Sequence, residues 1–270
     1  MNDAILGLVR PAVLAVLLSA SGLACAEETA PAPAGNADEL AKKLSNPVAA
    51  LISVPIQYNY DETFGDDGYR HTVNVQPVIP ISISEDWNLI SRTILPIISQ
   101  EDLIPGTDQS GFGDIVQSLF FSPKAPTDSG IIWGVGPAML LPTGSNEFSA
   151  DTWAAGPTAV VLKQEGRLTV GALANHLADV SGDADINATF VQPFLSYALG
   201  KGRTLGFNTE STYDWEAEEW TIPVNLTYSQ VKKFGGQLVS IGGGVRAYLD
   251  SPTGGPDWGV RVIFTLLYPK

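Results

Sequence analysis

The sequence predicts an all-β protein, a single closed antiparallel transmembrane β-barrel of about twelve strands, with short periplasmic turns and longer acidic extracellular loops. Three observations predict it. Apolar and polar residues alternate with period two along segments long enough to cross a bilayer as tilted strands, which takes ~9–11 residues. The links between these segments alternate between compact turns and longer polar loops. All six tryptophans fall near segment ends.

The chain begins with what reads as an export signal over residues 1–26. Arg10 precedes an apolar run at 12–18, and Ala24, Cys25 and Ala26 form an A-x-A-like cleavage site before Glu27. That run is too short for a spanning helix, which needs ~20 apolar residues. Cleavage after Ala26 removes the one cysteine, so the mature chain has no disulfide to hold it together. Residues 27–46 read as a periplasmic leader, Pro/Ala-rich at first. Within it, DELAKKLS at 38–45 has the pattern of one or two helical turns ending before Pro47. The barrel domain is expected over 47–270.

The strand pattern falls at 50–60, 71–83, 87–99, 112–122, 130–141, 153–163, 167–178, 187–198, 203–214, 220–231, 238–249 and 258–268. The tenth segment shows the alternation well. Trp220, Ile222, Val224, Leu226 and Tyr228 take one parity, while Thr221, Pro223, Asn225, Thr227 and Ser229 take the other. In a barrel that crosses a membrane, the apolar parity faces lipid and the polar parity faces the lumen. Closure leaves no strand edge, which in hydrocarbon would cost several kcal/mol per unpaired backbone group.

After the even strands come SED, SPKAPTDSG, QEG, GKG and KKFGG; after the odd ones come loops such as DETFGDDGY and QEDLIPGTDQSG. Six longer loops hold eighteen of the twenty-nine acidic residues and no Lys or Arg, whereas the short turns carry Lys124, Lys163, Arg167, Lys201, Arg203, Lys232 and Lys233. Charge sorted by sheet end implies two differently exposed ends. Trp153, Trp215, Trp220 and Trp258, with Tyr58, Tyr60 and Tyr213, map to the outer rim. Trp87, Trp133, Phe121, Tyr197, Tyr228 and Tyr268 map to the inner rim, as in the aromatic girdles of barrels. Eight prolines (55, 77, 80, 96, 137, 157, 193 and 223) lie inside predicted strands. Proline cannot donate to a ladder, so each is expected to mark a bulge or a shortened strand. GVGPAMLLP and AAGPTAVVL are apolar on both parities, so part of the lumen is expected to be packed.

Composition excludes several function classes. Charged residues make up 16 % of the chain, against roughly 25 % in soluble domains. A net charge of −14 has the wrong sign for nucleic-acid binding. Gly242, Gly243 and Gly244 sit inside a strand, not at a strand-to-helix turn, so they form no phosphate loop. Asp66, Asp67, Asp183 and Asp185 lack the twelve-residue EF-hand layout, and no metal or cofactor is expected.

Many linked stretches, among them NPVAALISVPIQYNYD, QPVIPISISEDWNLISRTILPII, GFGDI, WGVGP, AAGPTAVVLKQ, GALANH, QPFLSY, NTESTYDWE, WTIPVNL and GGGVRAYLDSPTGGPDWGVRVIFTLLYPK, resemble the bacterial outer-membrane proteins grouped under the MetA pathway of phenol degradation. The resemblance covers roughly residues 45–270. It implies a porin-like outer-membrane barrel and passage of small, aromatic or hydrophobic compounds. Asp257, Gly259, Val262 and Phe264 also resemble the C-terminal signal read by barrel-insertion machinery, although Pro269 and Lys270 follow the final aromatic residue. The implied partners are this machinery, outer-membrane lipid and lipopolysaccharide, and a small solute that the sequence does not name.

Strand parity assigns a polar set to the lumen: Gln57, Asn59, Asn74, Gln76, Asn88, Arg92, Asp114, Gln192, Asn208, Glu210, Asp214, Asn225, Arg246 and Arg261. Arg246 and Arg261 lie on adjacent strands and are expected to meet a phenolate or carboxylate at a constriction that selects solutes. The same residues equally suit an internal ion-pair network filling a structural barrel that conducts nothing. Two other readings are weighed beside these. A lipid-modifying enzyme would need a Ser/His pair built on His71 or on His176, which follows Asn175, and no nucleophile motif accompanies either. A soluble periplasmic β-sandwich that binds a ligand would explain the signal and strands, but not the sorted loops.

Overall fold

The computed structural model describes residues 34–63, 68–103 and 106–269. The signal-peptide reading, the leader before residue 34 and Asp66 and Asp67 lie outside them. A helix, α1 (Ala34–Leu44), precedes twelve strands. These are β1 (Ile52–Thr63), β2 (Tyr69–Val75 and Val78–Ser82), β3 (Trp87–Glu101), β4 (Asp108–Phe112 and Ile115–Pro123), β5 (Ile131–Leu141) and β6 (Trp153–Glu165). They continue with β7 (Leu168–Ser181), β8 (Asn187–Gly200), β9 (Arg203–Thr209 and Ser211–Asp214), β10 (Glu219–Thr221 and Pro223–Phe234), β11 (Gln237–Tyr248) and β12 (Pro256–Tyr268).

Each strand pairs antiparallel with its neighbour in sequence, and β12 pairs with β1 from Ile52↔Tyr268 to Glu62↔Trp258. The sheet therefore closes. A sandwich would leave two sheets with edges, so the β-sandwich alternative is overturned by the closed ladder.

The side-chain alternation is that of a barrel with an apolar outside. Leu226, Val245 and Val262 lie on the outer wall and are 48 %, 58 % and 51 % exposed, while Asn225 on the opposite parity is 0 % exposed. Polar groups on the outer wall pair with one another. Thr93 Oγ1 donates to Gln117 Oε1 at 2.6 Å, and Gln117 Nε2 donates to Ser91 Oγ at 3.1 Å. Such pairing is required wherever no water supplies partners. His71 and His176 also belong to the outer wall, where their Nδ1 atoms meet the hydroxyls of Tyr58 at 2.7 Å and Thr189 at 2.9 Å. Aromatic rings gather at both ends: Tyr213 packs on Trp215 and Trp220, and Trp87 meets Trp133 edge-on at 5.8 Å.

Strands are interrupted at Pro77 and just before Pro223, in line with the shortened strands expected of prolines, and two other prolines act as a facing pair. Pro137 and Pro157 face each other across β5 and β6. Each follows a glycine, and the ladders on their far sides are interrupted. A Cβ on Gly136 would sit 1.9 Å from the Leu119 carbonyl oxygen, and one on Gly156 would sit 2.0 Å from that of His176. The Gly-Pro pairs let a neighbouring carbonyl that has lost its donor tuck into the wall. Only a residue without a side chain permits that approach.

Helix α1 begins four residues before the predicted turns, and it is docked rather than free. Ala37, Leu40, Ala41 and Leu44 recur at helical spacing and form one apolar stripe. Leu40, 2 % exposed, packs with Leu51, Val231 and Leu267 at the short-turn end of the barrel. Lys42 and Lys43 in the last turn suit the negative end of the helix dipole. The Gly202 N–H donates to Asp38 Oδ1, and Gln164 Nε2 donates to the Lys42 carbonyl at 2.9 Å, so two turns grip the helix. The chain then crosses inside the barrel, where Val48 joins an apolar cluster with Ile90, Phe120, Val160, Leu162 and Leu173.

Candidate functional site in the lumen

Two rows of side chains cross one inner wall. The first runs Arg70, Asp61, Gly259, Arg246, Asn225, Asn208 from β2 through β1, β12, β11 and β10 to β9. The second, one step nearer the short turns, runs Thr72, Asn59, Arg261, Gly244, Thr227, Gly206. Glycines flank the two large cations. A Cβ on Gly259 would lie 2.2 Å from the Tyr60 carbonyl oxygen and 2.5 Å from Asp61 Oδ1, so its absence lets both the β1 backbone and the Asp61 carboxylate come close.

Two of the three arginines are neutralised here, by Asp61 and by Glu210 from the break in β9, whereas Arg70 Nε donates to Gln100 Oε1 at 3.0 Å. Arg246 Nη1 donates to Asp61 Oδ2 at 3.0 Å, and the Tyr248 hydroxyl donates to Asp61 Oδ1 at 3.0 Å. Arg261 grips Glu210 with both terminal nitrogens, at 2.8 and 2.7 Å, and its Nε donates to Asn59 Oδ1 at 2.7 Å. Arg246 Nη2 stands 4.0 Å from Glu210 and links the two pairs. Bidentate geometry makes the Arg261–Glu210 pair the strongest contact of the layer. Arg246 Nε and Asn225 Oδ1, on a cross-strand pair, are buried with no hydrogen-bond partner among the described residues.

Glu210 joins this layer where β9 breaks. Pro193 on β8 and Pro223 on β10 flank the break, and the Glu210 N–H donates to the Pro223 carbonyl at 3.2 Å. Two prolines thus deny regular pairing on both sides of a carboxylate that even parity with Asn208 already directs to the lumen.

The structure distributes the predicted lumen residues unevenly. Asn59, Glu210, Asn225, Arg246 and Arg261 meet in the charged layer, and Asn208 accepts from Asn225 Nδ2 at 2.8 Å. Arg246 and Arg261, expected either to meet a solute anion or to join an internal ion-pair network, are found in ion pairs, since both guanidiniums already hold carboxylates. Gln76, Arg92 and Gln192 line a separate cavity nearer the helix, where Gln76 Oε1 accepts from Arg92 Nη2 at 3.2 Å. Gln57 and Asn74 form a cross-strand pair, and Asn88 is buried opposite Ser122. Two aspartates do other work. Asp114 clamps the 142–152 loop by accepting from the N–H groups of Gly144 and Ala150 and from the Ser149 hydroxyl. Asp214 caps a turn by accepting from the N–H groups of Glu216 and Ala217. Neither is a constriction residue. Asp61, Arg70 and Tyr248 escaped the sequence reading, although parity with Asn59, Asn74 and Arg246 would have found them. Asp61 looked like part of an acidic loop.

Hollows lie on both sides of the charged layer. The outer one, about 350 Å³, is lined by Asp61, Arg70, Tyr248 and the 252–256 loop. The inner one, about 260 Å³, lies between Arg92 and the segment that follows α1.

No protein-family model matches the sequence, and no curated protein matches it. Among solved structures, the COG4313 outer membrane channel from Pseudomonas putida F1 superposes with a TM-score of 0.65 at 13 % identity, covering 81 % of this chain and 96 % of that one. KdgM porin superposes with a TM-score of 0.45 at 12 % identity, covering 81 % and 99 %. At these identities the likeness concerns architecture. The chain is a closed twelve-stranded antiparallel β-barrel, built as that Pseudomonas channel is built.

Proposed function

We propose that the protein resides in the bacterial outer membrane and forms a narrow channel for small, weakly polar or aromatic solutes. An apolar outer wall between two aromatic ends is a large exposed patch in water and an ordinary surface in lipid. The observation that carries the channel reading is the pair of hollows on either side of one thin layer of ion pairs. A fully packed interior would have neither. The resemblance to the MetA-pathway group supplies the solute class. The acidic loops concentrate cations at the mouth, an effect that fades as the Debye length falls from ~10 Å at 0.1 M salt to ~3 Å at 1 M.

One observation favours a second reading, a filled structural barrel. The Val48, Ile90, Phe120 and Leu173 cluster and the docked helix occupy much of the short-turn half. Proteoliposomes separate the two. The channel reading expects phenol to enter faster than through protein-free vesicles, and faster than large organic anions of similar hydrophobicity. Leu40→Asp, which places a charge in the helix–barrel contact, should raise conductance by freeing α1. If neither the wild type nor Leu40→Asp passes ions or solute, the barrel is filled and transport is dropped.

A further inference from the structure

We infer that the inner cavity is a binding site for small organic monocarboxylates with an apolar body, held by Arg92. The inference rests on the channel reading above and deepens it. The cavity has charge opposite to the chain as a whole. The sequence holds 29 acidic and 15 basic residues, yet among the described lining residues Lys43 and Arg92 are cationic and none is acidic.

Arg92 is available as Arg246 and Arg261 are not, and it is the arginine that lines the inner cavity. Arg246 and Arg261 are each held by a carboxylate, whereas Arg92 forms no ion pair among the described residues and makes one side-chain hydrogen bond, to Gln76. A guanidinium has five N–H donors in a planar fork that matches a carboxylate, so most of its capacity remains for a ligand. Lys43, likewise without an ion pair among the described residues, stands at the helix side of the same space. Gln192 adds a neutral amide, and Leu173 and Phe194 supply apolar wall. An apolar cavity of about 150 Å³ accepts benzene. A space of about 260 Å³ therefore admits a six-membered ring together with its carboxylate. Aromatic monocarboxylates combine both demands, a planar anion for Arg92 and a ring for the apolar wall.

The test is equilibrium dialysis of the full folded protein in detergent micelles, against protein-free micelles, with benzoate, benzamide and benzylammonium as probes. Benzoate should bind about tenfold or more tightly than either neutral or cationic analogue, because charge-assisted hydrogen bonds exceed neutral ones. Arg92→Gln should bring benzoate down to the level of benzamide. Gln76→Glu, which gives Arg92 a resident carboxylate, should do the same, and it stays informative if Arg92→Gln fails to fold. The proposal is overturned if wild-type protein binds benzoate no better than benzamide, or if the folded variants keep the preference. Binding here needs no transport. Benzoate preference without vesicle flux would remove the channel and leave the site, whereas flux without benzoate preference would remove the site and leave the channel.

Discussion

Glu210 is the residue whose loss should be felt most widely in the lumen. Its carboxylate accepts both terminal nitrogens of Arg261 and stands 4.0 Å from Arg246. In the native layer two guanidiniums, Arg246 and Arg261, balance two carboxylates, Asp61 and Glu210. Glu210→Ala removes one negative charge from the layer and leaves Arg261, 2 % exposed at its side chain, holding only Asn59. Breaking a fully buried pair costs about 3–5 kcal/mol, because one charge is left without a partner in a poorly solvated place. The Glu210 side chain keeps 22 % of its surface open to the lumen, so water repays part of that cost. The expected loss is therefore about 2–4 kcal/mol.

Replacing the partner as well should restore most of it. Glu210→Ala/Arg261→Met also removes the cation that the single variant strands, and swapping a buried ion pair for apolar groups is close to neutral. The assay is urea unfolding of the barrel refolded into phospholipid vesicles, followed by tryptophan fluorescence. A single variant within about 0.5 kcal/mol of wild type, the range of an exposed pair, would show that the layer is wet and loose. A double variant as unstable as the single one would show that Glu210 matters for something other than pairing Arg261. The same variants have an electrical signature. In a salt gradient, Glu210→Ala should shift the reversal potential toward anion preference, and the double variant should return it.

Leu226→Arg puts a charge on the outer wall and should cost about 2–4 kcal/mol in the same unfolding assay if that position lies near the bilayer midplane; no loss would mean the wall does not face lipid. Gly259→Ala inserts a methyl group 2.5 Å from Asp61 Oδ1. It should destabilise the barrel by about 1–3 kcal/mol, chiefly because the methyl group also lies 2.2 Å from the Tyr60 carbonyl oxygen, and alter ion selectivity by moving the carboxylate that Arg246 holds. A cysteine at 217 should react with an impermeant thiol reagent on intact cells, while cysteines at 201 or 233 stay silent; the opposite pattern would invert the barrel in the membrane.

Strand number, closure and the direction of each wall were legible in the sequence because period two is a local property. Leu226 and Asn225 are adjacent, and no tertiary knowledge is needed to send them to opposite faces. Partnership was not legible. Arg261 and Glu210 are 51 positions apart, and Arg246 and Asp61 are 185 apart. Their meeting depends on the register of five strands and on where each long side chain bends. Parity put Arg92, Arg246 and Arg261 in one class, whereas the lumen sorts them by whether a carboxylate lies within reach. Helix α1 was undersized for a similar reason. Its apolar stripe is Ala-rich and weak in isolation, and its extent is set by packing on Leu51, Val231 and Leu267.

The prolines tie these levels together. As sequence features they count against twelve regular strands, since each removes a ladder donor. In the barrel they fall where regularity would be unhelpful. Pro137 and Pro157 each follow a glycine that lets a neighbouring carbonyl close up on the wall. Pro193 and Pro223 flank the one break in β9, and Glu210 lies at that break. Even parity with Asn208 sends Glu210 to the lumen, and the break lies where it meets Arg261. Glu210 holds Arg261 and leaves Arg92, with Lys43, as cations beside the inner cavity. The donor that proline lacks therefore accounts for the interruptions of the strand pattern, and one of them lies beside the carboxylate that holds Arg261.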